Sequence, residues 1–218
     1  MNKKIISIIL LCIMSISLLA ACAGQGATST GDAGTGSGSG VGDGASGSAS
    51  TTNLSGNAME VLAKLDEDLK QTGIEMPMTL PPTAVNPDMS QNDIGLSDTD
   101  FAGLVESAAS SLAAIGTFAH QIVIIQAKDA NAAVKVKDLI SGPGGYDAQK
   151  WICVWPEKVI AVESGAYVLL AAANANVVDA AVEAFRAEAG NIGTVVTFFE
   201  HDGSNDNPVG GGEPIALG

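Results

Sequence analysis

Val159-Ile160-Ala161-Val162-Glu163-Ser164-Gly165-Ala166-Tyr167-Val168-Leu169-Leu170-Ala171-Ala172 is the stretch on which the fold turns. Two apolar runs, Val159 to Val162 and Ala166 to Ala172, flank Glu163-Ser164-Gly165. Short apolar runs on either side of a glycine-containing turn predict a β-hairpin, with Gly165 in the turn. A hairpin makes the pairing antiparallel. Because this is the most continuous apolar run outside the N-terminus, it predicts the centre of a sheet.

Working outward, Asn176 is expected to cap a helix with Val177, Val178, Ala181, Val182 and Phe185 facing inward and Gly190 ending it. Thr194 to Phe199 adds a last strand. On the other side, Trp151, Cys153 and Trp155 alternate with Ile152 and Val154, which predicts an extended segment closed by Pro156. Gly142-Pro143-Gly144-Gly145 stops a helix that Asp129 begins and that carries Val134, Val136, Leu139 and Ile140. Ala119 to Ala127, with the β-branched run Ile122-Val123-Ile124-Ile125, is a strand. Ser97 to Gly116 has two readings: a helix capped by Ser97 with Asp100, or a strand, either whole or after one helical turn. Its serines lean it to the strand. Pro77, Pro81, Pro82 and Pro87 make Ile74 to Leu96 an irregular crossing. Asn57 to Gly73 is a helix with Met59, Leu62, Leu65 and Leu69 on one face. The expected fold class is α+β: an antiparallel sheet of four to five strands with helices packed on one face.

The N-terminus carries a different message. Lys3 and Lys4 precede a nearly all-apolar run from Ile5 to Ala20, too short to span a bilayer comfortably. The run ends in Leu19-Ala20-Ala21-Cys22, which resembles the bacterial lipobox. That resemblance implies a signal peptide over 1–21, a diacylglycerol thioether on Cys22, and attachment to the extracytoplasmic face of the cell membrane. Two acyl chains on one residue hold lastingly where a single chain does not. From Cys22 to residue 56 the chain is nearly all Gly, Ser, Ala and Thr, too poor in apolar surface to offset its ordering entropy. Such a linker is expected to span on the order of 30 Å as a coil and roughly 110 Å when stretched. Residues 57–200 are expected to form one domain, and 201–218 a disordered tail.

Charge narrows the partners. Lys and Arg number 10 against 24 Asp and Glu, a net charge of −14 that becomes more negative once Lys3 and Lys4 leave. Nucleic acid and anionic headgroups are poor partners for such a surface. Cys12 departs with the signal peptide and Cys22 is lipidated, so Cys153 has no disulfide partner.

Several of these features together resemble a bacterial family without an assigned activity, the domain of unknown function 4358 family, typical of small Gram-positive lipoproteins. The resemblance covers about 95–189. It rests on Gly95-Leu96 before Asp98 and Asp100, on Gln121 to Ile125 running into Ala127-Lys128-Asp129, and on Trp155-Pro156-Glu157. The hairpin Gly165 to Leu170 and the closing helix through Phe185 extend it. Gly142 to Gly145 departs from the family's longer second helix. The family supplies no catalytic residue to carry over.

Chemistry is sparse. Cys153 with His120 could form a nucleophile pair and make an envelope hydrolase, but bulky apolar neighbours raise a thiol's pKa and favour a core cysteine. Glu200-His201-Asp202 with Asp206 lacks calcium-loop spacing, and no metal or cofactor is expected. Asp93, Asp98 and Asp100 read as a helix cap or solvated face rather than a carboxylate pair. Trp151 and Trp155 mark either a carbohydrate or peptide groove or the capped end of the sheet. The expectation is a non-enzymatic, lipid-tethered module for an envelope protein or cell-wall partner. A transporter's solute receptor would need two lobes.

Overall fold

Six strands form one antiparallel sheet in the order β1-β2-β3-β5-β4-β6 in a computed structural model. The structure describes residues 51–151 and 154–201; the expected signal peptide, Cys22, most of the expected linker, Ile152, Cys153 and the expected tail from Asp202 lie outside the described residues. Helix α1 (Ala58–Gln71) opens the domain. Strand β1 (Thr83–Ala84), a 3₁₀ turn (Pro87–Met89) and the short α2 (Ser90–Ile94) follow. Next come α3 (Asp98–Leu104), β2 (Val105–Leu112), β3 (Gln121–Ala127) and α4 (Ala130–Ser141). The chain closes with β4 (Lys158–Ser164), β5 (Tyr167–Ala173), α5 (Ala175–Ala189) and β6 (Val196–Glu200). The α+β class is as expected.

The hairpin β4–β5 sits within the sheet, and all seven residues of β5 are buried. Its turn is shorter than expected. Ser164 still pairs with Tyr167, so Gly165 and Ala166 alone make the bend, and Gly165 takes φ +54°. A two-residue hairpin loop needs a positive φ, which a Cβ would strain.

Two expectations of the layering are corrected. The sheet has six strands rather than four to five, because the crossing between α1 and α2 contributes β1, which pairs with β2. Helices also cover both faces rather than one. Val123, Ile125, Val168, Leu170, Val159 and Ala161 face α4. Ile122, Ile124, Leu169, Ala171, Ile160 and Val162 face α1 and α5. The connections explain this. The chain passes from β3 through α4 to β4, and from β5 through α5 to β6, each time skipping one strand in the same direction. β3 and β5 are antiparallel. Crossovers of one hand that start from oppositely directed strands must lie on opposite faces.

The ambiguous stretch from Ser97 is both readings in turn. Ser97 Oγ accepts from the Asp100 N–H at 3.1 Å and donates to its carboxylate at 2.6 Å, capping α3, and β2 begins at Val105. A register shift between Val105 and Ser107 marks a β-bulge there. The proline-rich crossing is more ordered than expected. Val85 N–H donates to the Ala108 carbonyl, and Pro87 starts the 3₁₀ turn, where its fixed φ is preorganised.

Two boundaries move. Asn176 was expected to cap α5, but the helix starts at Ala175, whose N–H donates to the Glu157 carboxylate at 2.9 Å. The domain also begins before residue 57. Asn53 N–H donates to the Ala189 carbonyl, Leu54 packs on the α1–α5 layer, and the Tyr167 hydroxyl donates to the Gly56 carbonyl at 2.7 Å.

Candidate functional site

Beyond the C-terminus of α4 the chain folds tightly back. The Tyr146 N–H donates to the Ile140 carbonyl, and a Cβ on Gly145 would lie 2.3 Å from that same oxygen. Only glycine fits there. A Cβ on Gly95, the residue after α2, would lie 2.2 Å from the Tyr146 backbone nitrogen. These close approaches seat the segment 142–151 against α2.

Between them a polar network assembles. Gln121, at the start of β3, is 2% exposed and forms its hub. Its amide nitrogen donates to Ser110 Oγ at 3.1 Å and to the Asp93 carbonyl at 3.2 Å. Its oxygen accepts from the Tyr146 hydroxyl at 2.9 Å and from Lys150 Nζ at 2.8 Å. Lys150 Nζ also donates to the Asp93 carbonyl at 2.8 Å and the Asn92 carbonyl at 3.3 Å. It lies 4.4 Å from the Tyr146 ring centroid and 5.6 Å from that of Trp151. Both positions suit cation–π attraction.

Burial pushes the Lys150 ammonium down to about 8, against the opposing pull of the Asp93 and Asp147 carboxylates. Burial likewise drives the Tyr146 phenol well above its ordinary value, with the Trp151 indole acting in the other direction. The Trp151 Nε1 atom is buried without a hydrogen bond of good geometry. A cleft of about 510 Å³ opens over this network, walled by Trp151, Lys150, Asp147, Asn92, Asp93 and Gln91. Its ammonium is held by three acceptors and the aromatic rings, so it serves as a fixed charge rather than a free nucleophile.

The second feature is apolar. Met78 is 73% exposed, Ile115 53%, Phe118 49% and Leu80 48%. Met78 and Leu80 lie on the segment that pairs with the end of β2, and Ile115 and Phe118 lie in the turn from β2 to β3 at that same end of the sheet. Leu80 N–H donates to the Leu112 carbonyl, Ala114 N–H to the Met78 carbonyl, and Thr79 bridges Ala113. On the α1–α5 side of this end a smaller cavity, about 220 Å³, is lined by Phe118, His120, Met76 and Glu75. His120 is 2% exposed, its Nδ1 has no partner, and burial lowers its pKa to about 4.

The structure separates the two tryptophans. Trp151 walls the cleft. Trp155 packs edge-on against Phe199, with centroids 6.4 Å apart, and against His201 at 5.5 Å, capping the β6 edge. Neither belongs to a helix or strand. Cys153 lies outside the described residues, as do Cys22, Asp202 and Asp206. Among the described residues, no three of His, Cys, Asp and Glu group as metal ligands, and no helix is long and apolar enough to cross a membrane. Asp93 parts from Asp98 and Asp100: it walls the cleft, while the other two sit in the first turn of α3.

Sequence reasoning missed Tyr146, Lys150 and the hub Gln121, as well as the exposed Met78, Leu80 and Phe118. The one local signal was apolar side chains, Ile115 and Phe118, around the turn glycine Gly116. No protein-family model, curated protein or solved structure matches the chain.

Proposed function

We propose that the chain is a lipid-tethered, extracytoplasmic binding module rather than an enzyme, held to the cell membrane through Cys22 and engaging an envelope protein through the apolar end of its sheet. The observation that carries the binding reading is the gathering of Met78, Leu80, Ile115 and Phe118, four of the five large hydrophobics exposed among the described residues, at that one end. Exposed apolar side chains gathered at one end of a domain mark an interaction site, where singly scattered ones do not. Pro81 and Pro82 lie beside the β1 edge and remove the donors an added strand would need, so a partner packs through side chains. The net charge of −14 disfavours an anionic lipid surface as that partner. The resemblance of about 95–189 to the domain of unknown function 4358 lipoproteins agrees with the tether.

Two measurements test the reading. Cys22→Ala is expected to accumulate as an uncleaved precursor without the diacylglycerol thioether; normal acylation of that variant overturns the anchor. A photo-crosslinking residue placed at Met78 in the anchored protein is expected to give one discrete protein adduct in cells. The same residue at exposed Glu67 gives none. Adducts to lipid alone, or the same adducts from both positions, overturn the docking surface.

A further inference from the structure

We propose that the cleft beside Trp151 is a second, independent site that takes a short neutral saccharide. Its volume of about 510 Å³ lies within the roughly 300–1,000 Å³ common to small-ligand sites. Three features define the ligand chemistry. The first is the half-buried Trp151 ring in the wall, an apolar platform for the flat face of a sugar ring.

The second is a mixed set of polar groups. The Asp93 and Asp147 carboxylates accept hydrogen bonds only, and the Asn92 and Gln91 amides both donate and accept. The Asn92 amide and the Asp93 carboxylate make no hydrogen bond among the described residues. A ligand rich in hydroxyls answers both kinds of group, since each hydroxyl donates and accepts.

The third is charge. Lys150 already occupies the cation position over the Tyr146 and Trp151 rings, so a cationic ligand meets a resident ammonium. The Asp93 and Asp147 carboxylates outnumber that single ammonium on the same walls, so the balance of charge repels an anion. A neutral polyhydroxylated ligand meets neither penalty. The network beneath, from Gln121 to Asp93, Tyr146 and Lys150, holds the walls before a ligand arrives.

The probe is a β-linked tetramer of N-acetylglucosamine, titrated into the full-length lipidated protein in detergent micelles. Trp155→Phe leaves Trp151 as the only tryptophan, so its fluorescence reports the cleft. The expected result is a saturable change with the neutral tetramer. The deacetylated cationic tetramer and an anionic galacturonate tetramer should bind at least about 10-fold more weakly. Calorimetry should show binding lost in Trp151→Ala and weakened about 5-fold or more in Asp147→Ala. Asp147 is exposed and its carboxylate accepts only a local bond from the Gln149 N–H at 2.8 Å, so that variant is expected to keep its fold, and the result is readable even if Trp151→Ala does not fold. Absence of a saturable signal with the neutral tetramer, preference for either charged one, or unchanged affinity in Asp147→Ala overturns the proposal. Met78→Ser should leave this binding unchanged, which keeps the site distinct from the apolar end.

Discussion

The two faces of the sheet are sealed in different ways. On one, α1 and α5 lie side by side and close the layer with apolar side chains: Val61, Leu62, Leu65 and Leu69 from α1, Val177, Val178, Ala181 and Phe185 from α5. On the other, only α4 is long, and α2, α3 and the segment 142–151 fill the remainder. A helix satisfies its own backbone, so an amphipathic one seals a face with apolar side chains alone. Loops bring unpaired carbonyls and polar side chains inside, and these must find one another. On the α4 face they do, where the Tyr146 hydroxyl and the Lys150 ammonium of the segment 142–151 both donate to Gln121 of β3. The larger cleft lies where the loops meet. The difference teaches that in this domain a concave polar site arises where the helical cover runs out.

The sharpest way to break this comparison uses neighbouring leucines that point to opposite faces. Leu169 faces α1 and α5, Leu170 faces α4, and both are fully buried. Leu169→Ala and Leu170→Ala should each cost roughly 2–5 kcal/mol in urea unfolding, with similar losses. A small loss at Leu170 would mean that loops seal a face less well than helices do.

The hub comes next. Gln121→Leu leaves the Tyr146 hydroxyl, Ser110 Oγ and the Lys150 ammonium short of partners in a buried setting. The loss should be about 2–3 kcal/mol, and Lys150 should lose its depressed pKa as the segment loosens. A near-neutral result would mean that water replaces the hub freely.

Smaller, graded effects separate the faces by pH. His120 on the α1–α5 side has its pKa lowered from 6.5 to about 4, so the unfolded chain binds more protons in that window. Stability should therefore fall as pH drops from 6.5 towards 4. On the α4 side Lys150 is lowered from 10.5 to about 8. Here too the unfolded state holds more protons, so stability should rise as pH climbs from 8 towards 10. Above pH 10 the raised Tyr146 phenol opposes it, because the folded state then keeps a proton that the unfolded state releases. Melting temperatures of His120→Gln and Lys150→Met should each lose one limb and keep the other. Loss of both limbs in either variant would join what the fold separates.

The smallest expected effect is Met78→Ser. With 73% of its surface exposed, its loss should move stability by no more than about 0.5 kcal/mol while weakening the adduct formed by the same crosslinking residue placed at exposed Leu80. A larger cost would show that the apolar end supports the fold rather than a partner.

Much was legible locally. The hairpin, the β3 run, the Asp129 cap and the stop at Gly142 depend on residues close in the chain, where turn and cap chemistry act. Asn57 with Glu60 forms a capping box for the same reason. Other features were out of reach. Seven buried residues in β5 look alike whether one face or both is covered, since burial does not name the element that buries. Periodicity therefore determined which residues leave water. Only the direction of two crossovers decided that helices take both faces. The candidate cleft was the least visible, because its hydrogen bonds join residues 25, 29 and 57 apart in the chain. Trp151 was conspicuous as a residue type, but Lys150, Gln121 and Asp93 gain their roles only through being brought together. Local conformational preference acts over a few residues and is written in the sequence, whereas long-range polar satisfaction exists only once the chain has packed.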